Sequence, residues 1–356
     1  MREVIEIQGR RIGAGCPCYI VAELSANHNG SFDQAVDVIR AARNAGADAI
    51  KLQTYTPDTL TIRCNNEHFR IGGGTLWDGR TLYDLYAEAY TPWDWHPKLK
   101  KIANELGLAF FSTPFDSTAV DFLEEVVGVP MYKVASFEIV DLPLIKKIAS
   151  TGKPVLISTG MATLEEIEEA VATAREGGTE DIVLLKCTSA YPARVEDIHL
   201  RTIPYLTETT GLHVGLSDHT LGIAVPVAAV ALGSRVIEKH LTISRAIPGP
   251  DSAFSLEPNE FAEMVNAVRI AESAIGDVHF GASPDEAKGL VFRRSLFVVR
   301  EIKQGEAFTT ENVRSVRPSH GLHTRYLKEI LGSLAATDIA AGTPLSWNLI
   351  ARVTAS

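Results

Sequence analysis

Short apolar runs recur along the chain, each ending in polar residues and each followed by a stretch of helical periodicity. The runs are YIVAE (19–23), AIKLQTY (49–55), AFFSTPF (109–115), YKVAS (132–136), PVLISTG (154–160), IVLLKCTS (182–189), HVGLSDH (213–219) and RVIEKHL (235–241). Between the first two, FDQAVDVIRAARNAGA (32–47) places Phe32, Ala35, Val36, Ile39 and Ala42 at helical spacing, with Ser31 as N-cap and Gly46 as C-terminal stop. Near-continuous apolar strands alternating with amphipathic helices predict a parallel sheet covered on both faces. Eight such units fit an α/β (β/α)8 TIM barrel better than a doubly wound sheet, and no glycine-rich dinucleotide fingerprint follows the first strand. The barrel is expected over residues 1–281, with VIEIQGRRI (4–12) as an N-terminal hairpin through Gly9 closing its bottom. A polar linker follows at 282–290. Residues 291–356, with short strands and KQGE and AAGT turns, then read as a separate domain too slight to stand alone.

The composition, 46% hydrophobic and 22% charged, is that of a globular enzyme. A net charge of -10 argues against a nucleic-acid partner, although a local cluster of Lys and Arg can still hold a small anion. The longest apolar run, GIAVPVAAVALG (222–233), is short of the roughly 20 residues that span a bilayer. MREVIEIQ at the N-terminus lacks the apolar core of a signal peptide. Four cysteines, two of them in CPC, make neither a disulfide framework nor a zinc ribbon. A cytoplasmic protein with no membrane partner is expected.

The polar residues fall at the C-terminal ends of the runs: Glu23; Lys51 and Gln53; Ser112 and Thr113; Lys133 and Ser136; Ser158 and Thr159; Lys186, Thr188 and Ser189; Ser217, Asp218 and His219; Glu238 and His240. In a (β/α)8 barrel these ends converge on one mouth, where the chemistry sits. Burying unpaired charge costs several kcal/mol, so such a ring must be compensated internally, by a ligand or by a metal. His219 and His240, on consecutive strands, could share a divalent cation, with Glu23 or waters completing the site. Mn²⁺, Mg²⁺, Co²⁺ and Zn²⁺ all suit such donors. Lys51, Lys133, Ser158 and Ser189 are the groups that hold a phosphate or carboxylate. A Schiff-base aldolase, which also places a barrel lysine at a strand end, stays open as the competing reading.

ANHNGS, GADAIKLQT, FFSTPFD, YKVAS, STGMAT, LLKCTSAYP, GLSDHT, IEKH and PGPD, in this order, resemble the sialic acid synthase family over essentially the whole chain. The C-terminal segment looks like that family's antifreeze-like (SAF) domain. AELSANHNGS, KLQTYTPDTLT, GGTLWDGRTLYDLY and RPSHGLH look more like its pseudaminic acid branch than its neuraminic acid branch. The resemblance implies condensation of phosphoenolpyruvate with an open-chain amino-sugar aldehyde, releasing inorganic phosphate. By the same resemblance Lys51, Thr113, Lys133, Ser136, Ser158 and Ser189 match phosphoenolpyruvate-binding positions, although Ser189 stands where the neuraminic branch commonly has Asn. His219 and His240 match metal ligands, Mn²⁺ first with Mg²⁺ or Co²⁺ as alternatives. Glu23 matches a carboxylate that handles water or proton transfer. Tyr191, Ser217 and Asp251 match positions near the sugar, and Gln53 and Trp77 are assigned to the same side. Trp77, in GGGTLWDGR (72–80), offers a flat apolar surface suited to a 6-deoxy sugar. Arg317 matches an arginine that the small domain of a partner subunit inserts in a domain-swapped homodimer. Asn27 and His28 are open between bracing their loop and touching substrate, whereas Asn29 and Gly30 are expected to make a turn.

Overall fold

The computed structural model describes residues 3–351. Met1 and Arg2 of the MREVIEIQ stretch, and residues 352–356 of the expected small domain, lie outside them. Strands β1 (Val4–Ile7) and β2 (Arg10–Gly13) pair antiparallel with Val4 opposite Gly13. Gly9 sits in their turn at φ 79°, a conformation glycine adopts freely. Ile5, Ile7 and Ile12 join the barrel's main apolar core. Arg10 ion-pairs with Asp48, whose carboxylate also accepts the N–H of Ile20. The hairpin is thereby tied to the N-terminal ends of the strands, opposite the mouth.

All eight apolar runs fold as strands: β3 (Tyr19–Glu23), β4 (Ala49–Thr54), β5 (Ala109–Pro114), β6 (Tyr132–Val134), β7 (Val155–Ser158), β8 (Ile182–Cys187), β9 (His213–Asp218) and β10 (Val236–His240). They close a parallel barrel in sequence order, β10 returning to β3 with Tyr19 opposite Val236 and Glu23 opposite His240. The first helix runs Phe32–Asn44; the Ser31 hydroxyl accepts the N–H of Gln34, and Gly46 turns the chain at φ 87°. Ala35, Val36, Val38, Ile39 and Ala42 are its buried face. Between β4 and β5 lie a glycine-rich segment and a helix, Leu82–Ala89, set by Thr81, whose hydroxyl accepts the N–H of Asp84.

The chain divides into two compact units, one ending at Gly276 and one beginning at Asp277. The C-terminal unit pairs β11 (Ser295–Val298) with β12 (Val313–Val316) antiparallel. It holds a core of its own, with Leu296, Val298, Ile302, Phe308, Ile339 and Leu345 all buried. Among the described residues, no helix is long and apolar enough to cross a membrane.

Candidate active site

Side chains alternate along a strand, so only every second polar strand end faces the barrel axis. Ser112, Lys186 and Asp218, expected in the ring, take the other face. Ser112 bonds Thr54 at 2.6 Å, Lys186 donates to the carbonyl of Cys187 at 2.7 Å, and Asp218 is paired with the fully buried Lys239.

The inward set makes a charged floor. Lys51 Nζ lies 2.9 Å from Glu23 Oε2, 3.3 Å from Glu238 Oε1 and 3.3 Å from Thr113 Oγ1. Lys133 Nζ lies 3.8 Å from the same Glu238 oxygen, and Ser217 donates to it at 3.2 Å. All of these side chains are buried. Burial opposes the Lys51 ammonium, but Glu23 and Glu238 outweigh it and hold the group above its ordinary range. Burial pulls Lys133 below its ordinary range, with Glu238 only partly compensating. Burial would also raise Glu238, yet Lys133 and Lys51 prevail and keep it ionised. Glu23 goes the other way: burial pushes it up and Lys51 offsets this only in part.

Hydroxyls flank this floor. Ser136 and Ser189 are 2.6 Å apart, and the buried Ser158 hydroxyl has no partner. Gly160 keeps the cradle open, because a Cβ there would fall 2.4 Å from that of Ser136 and 3.0 Å from Ser189 Oγ. His219 and His240 meet with ring centroids 5.4 Å apart. His219 Nδ1 is 2.9 Å from the carbonyl of Thr188, which can only accept, so Nδ1 carries a hydrogen. Burial opposes the imidazolium, but the neighbouring Cys187 outweighs it and raises the group above its ordinary range. His240 Nδ1 is buried without a partner. Burial, reinforced by His219 and Lys51, holds His240 well below its ordinary range, as neutral imidazole.

Above the floor opens a cavity of about 630 Å³ lined in part by Gln53, Trp77, Ser136, Ser189, Tyr191, His240 and Asp251. Gln53 donates to Glu23 at 3.1 Å and to Ser25 at 2.9 Å, and Ser25 donates to Asp251. Trp77 packs against Tyr191 with centroids 5.6 Å apart, and its indole N–H donates to the carbonyl of Pro250 at 3.1 Å. The ring therefore clamps its segment over the mouth as well as lining it. Asn27 donates to Leu241 O and Ser255 Oγ, while His28 is bonded through Thr91 and the N–H of Gly30. Both brace their loop. Asn29 at φ 47° and Gly30 at φ 70° make the turn.

Comparison with known proteins places this geometry. The model of the NeuB family matches residues 38–280, and that of the SAF domain matches 293–351. The chain belongs to the NeuB family. It is similar to a pseudaminic acid synthase of Campylobacter jejuni, 48% identical over 92% of this chain and 95% of that one. It is 46% identical to a pseudaminic acid synthase of Helicobacter pylori over 94% and 98% of the two chains. Among solved structures it resembles the spore coat polysaccharide biosynthesis protein SpsE of Bacillus subtilis, with a TM-score of 0.67, 31% identity, and 98% and 99% of the two chains covered.

Two carboxylates of this NeuB-family barrel were not singled out from the sequence. Glu238 stood among the strand-end residues but is the shared counter-ion of both lysines, a role set by cross-barrel distances that no strand reveals locally. Glu138 lies on the loop after β6 in SFEIV, outside any periodic pattern. It lines the cavity, one carboxyl oxygen is buried without a partner, and burial, offset in part by Lys133, pushes it up to about 7. Arg317 belongs to the C-terminal unit, where it is exposed.

Proposed function

We propose that the enzyme condenses phosphoenolpyruvate with 2,4-diacetamido-2,4,6-trideoxy-β-L-altropyranose, in its open-chain form, and water to give pseudaminic acid and phosphate. The observation that carries the reading is the buried lysine and hydroxyl floor beside two neighbouring imidazoles at the mouth of a NeuB-family barrel. The choice of sugar follows the named relatives. In the reaction C3 of phosphoenolpyruvate bonds to the aldehyde carbon, whose oxygen takes up a proton. Water adds at C2, loses its proton, and the C2–O bond breaks to release phosphate.

Lys51 stays cationic beside Thr113 and, with Lys133, Ser136, Ser158 and Ser189, suits an anion on the floor. Glu23, raised by burial and adjoining Gln53, can exchange a proton with water there. Gln53, Tyr191 and Asp251 line the cavity on the sugar side, whereas Ser217 donates to Glu238 on the floor. Nε2 of His219, once it has given up its proton, and the unpartnered Nδ1 of His240 fit a divalent cation, Mn²⁺ first, Mg²⁺ or Co²⁺ otherwise. Among the described residues no three His, Cys, Asp or Glu side chains group as a metal cage, so water and substrate would complete the coordination. A bound ion would polarise the sugar carbonyl as a Lewis acid. We further propose a domain-swapped homodimer in which the exposed Arg317 of one chain serves the barrel mouth of the other. The four cysteines are all free thiols, which suits the cytoplasm.

Phosphate release by metal-reconstituted enzyme with each candidate sugar tests the reading. Turnover is expected with the 2,4-diacetamido-6-deoxy sugar; turnover only with N-acetylmannosamine or the diacetyllegionaminate precursor would assign the chain to a sister synthase. His219→Ala and His240→Ala should each abolish turnover with the circular dichroism spectrum retained. The depressed Lys133 is the observation that favours a Schiff-base lyase. Borohydride trapping of pyruvate on Lys133 or Lys51, with activity intact in chelator, would establish that chemistry instead.

A further inference from the structure

The cavity changes character with height. Inward positions on β4 and the residue that follows it read Lys51, Gln53 and Tyr55: charged, polar, aromatic. Four residues of strand span about 13 Å, so the polarity falls off along the depth of the cavity. On β5 the same succession runs from Thr113 to Phe115. Tyr55 packs edge-on against Phe115, with centroids 5.2 Å apart, and against Tyr86 at 5.7 Å. Beside these rings Leu60, Ile71, Leu82, Leu85 and Ala89 line the cavity, with Tyr86 among them. Leu82, Leu85 and Ala89 share one face of the helix Leu82–Ala89, at i, i+3 and i+7. Ile71 is held beside the start of that helix by its N–H, which donates to the carbonyl of Arg80 at 2.9 Å. The helix face thus gives this side of the cavity a largely aliphatic lobe.

We propose that this lobe, built chiefly by the helix Leu82–Ala89, receives the C6 methyl of the sugar and selects 6-deoxy over 6-hydroxy substrates. The inference rests on the functional reading above. A sugar whose aldehyde carbon must reach phosphoenolpyruvate on the floor has its chain directed upward, so its last carbon points toward the aliphatic wall. A methyl there replaces water with dispersion contacts. A hydroxymethyl would lose water and find no partner on Leu82, Leu85 or Ala89. An apolar pocket rejects an added hydroxyl by at most about 100-fold, which sets the scale of the effect. Trp77 closes the mouth nearby but is anchored to Pro250, so the lobe depends on the leucines rather than on the indole.

The test is a pair of 2,4-diacetamido sugars of the same configuration that differ only in carrying H or OH at C6, assayed by phosphate release. Wild type should favour the 6-deoxy sugar by 10- to 100-fold in kcat/KM. Leu85→Gln should lower that ratio at least tenfold while the KM for phosphoenolpyruvate stays within twofold. Ala89→Ser, a milder change on the same face, should shift the ratio in the same direction and keeps the test open if Leu85→Gln misfolds. Ile62→Gln, at an exposed position, should leave the ratio unchanged. A ratio unmoved in both folded lobe variants would overturn the inference while the condensation stands. If wild type accepts neither diacetamido sugar and turns over only N-acetylmannosamine, the functional reading falls, and the inference with it.

Discussion

Glu138 carries a buried carboxyl oxygen that no protein group satisfies, on the wall of the cavity and with its pKa pushed up to about 7. Burial favours the neutral form, so below pH 7 the group is a hydrogen-bond donor that could deliver a proton to the oxygen of the reacting aldehyde. The sign follows directly: protonation is lost as pH rises through 7, and a step that needs the acid slows. We expect kcat to fall tenfold per pH unit above about 7. In Glu138→Gln, turnover should fall by 10²- to 10⁴-fold, the usual contribution of a general acid, with that limb absent from the pH–rate profile. An unaltered profile in the variant would remove Glu138 from the chemistry.

At the scale of elements, the mouth depends on how β9 and β10 are held together. Lys239 and Asp218 sit opposite each other in register, facing away from the barrel axis. The ammonium donates to Asp218 Oδ2 at 2.5 Å and to the carbonyl of Thr220, and Asp218 Oδ1 accepts the N–H of Thr220. The residues on both sides of His219, and the one before His240, are thus locked by a single buried pair. Lys239→Met leaves Asp218 uncompensated and should cost about 3–5 kcal/mol in urea unfolding; Lys239→Met with Asp218→Asn should recover part of that loss. Additive costs would mean the pair is not coupled. Strands of this kind were readable in advance because burial on both faces writes near-continuous apolar runs, and because polar residues interrupt them only at the mouth. What alternation does to Ser112, Lys186 and Asp218 was readable too, but only once the inward parity of each strand was known. The helix Leu82–Ala89 and its aliphatic lobe were not legible. Their residues follow a glycine-rich segment without periodicity, and they gain meaning only from Tyr55 and Phe115 on two neighbouring strands.

For the whole molecule, the buried imidazoles away from the mouth set an acid limit to stability. His96 is fully buried, bonded to Thr54 at 2.9 Å and to the carbonyl of Pro92 at 3.3 Å; His28 is buried beside Thr91. Burial lowers both from 6.5 to about 4. Between these values the unfolded chain binds more protons than the folded one, so stability rises with pH and is lost as pH falls from 6.5 toward 4. A shift of this size is worth about 3 kcal/mol for each imidazole at the acid end of the window. Buried carboxyls with raised values, such as Glu138, carry the opposite sign, since the folded state there binds the extra proton and gains stability on acidification. The total slope therefore mixes both kinds of group, and a difference measurement isolates the imidazole. Unfolding free energies of wild type and His96→Gln should be compared at pH 7.5 and pH 4.5. The variant, whatever its stability at pH 7.5, should lose about 2–3 kcal/mol less than wild type on acidification; equal losses would mean that His96 takes up its proton without opposing the fold.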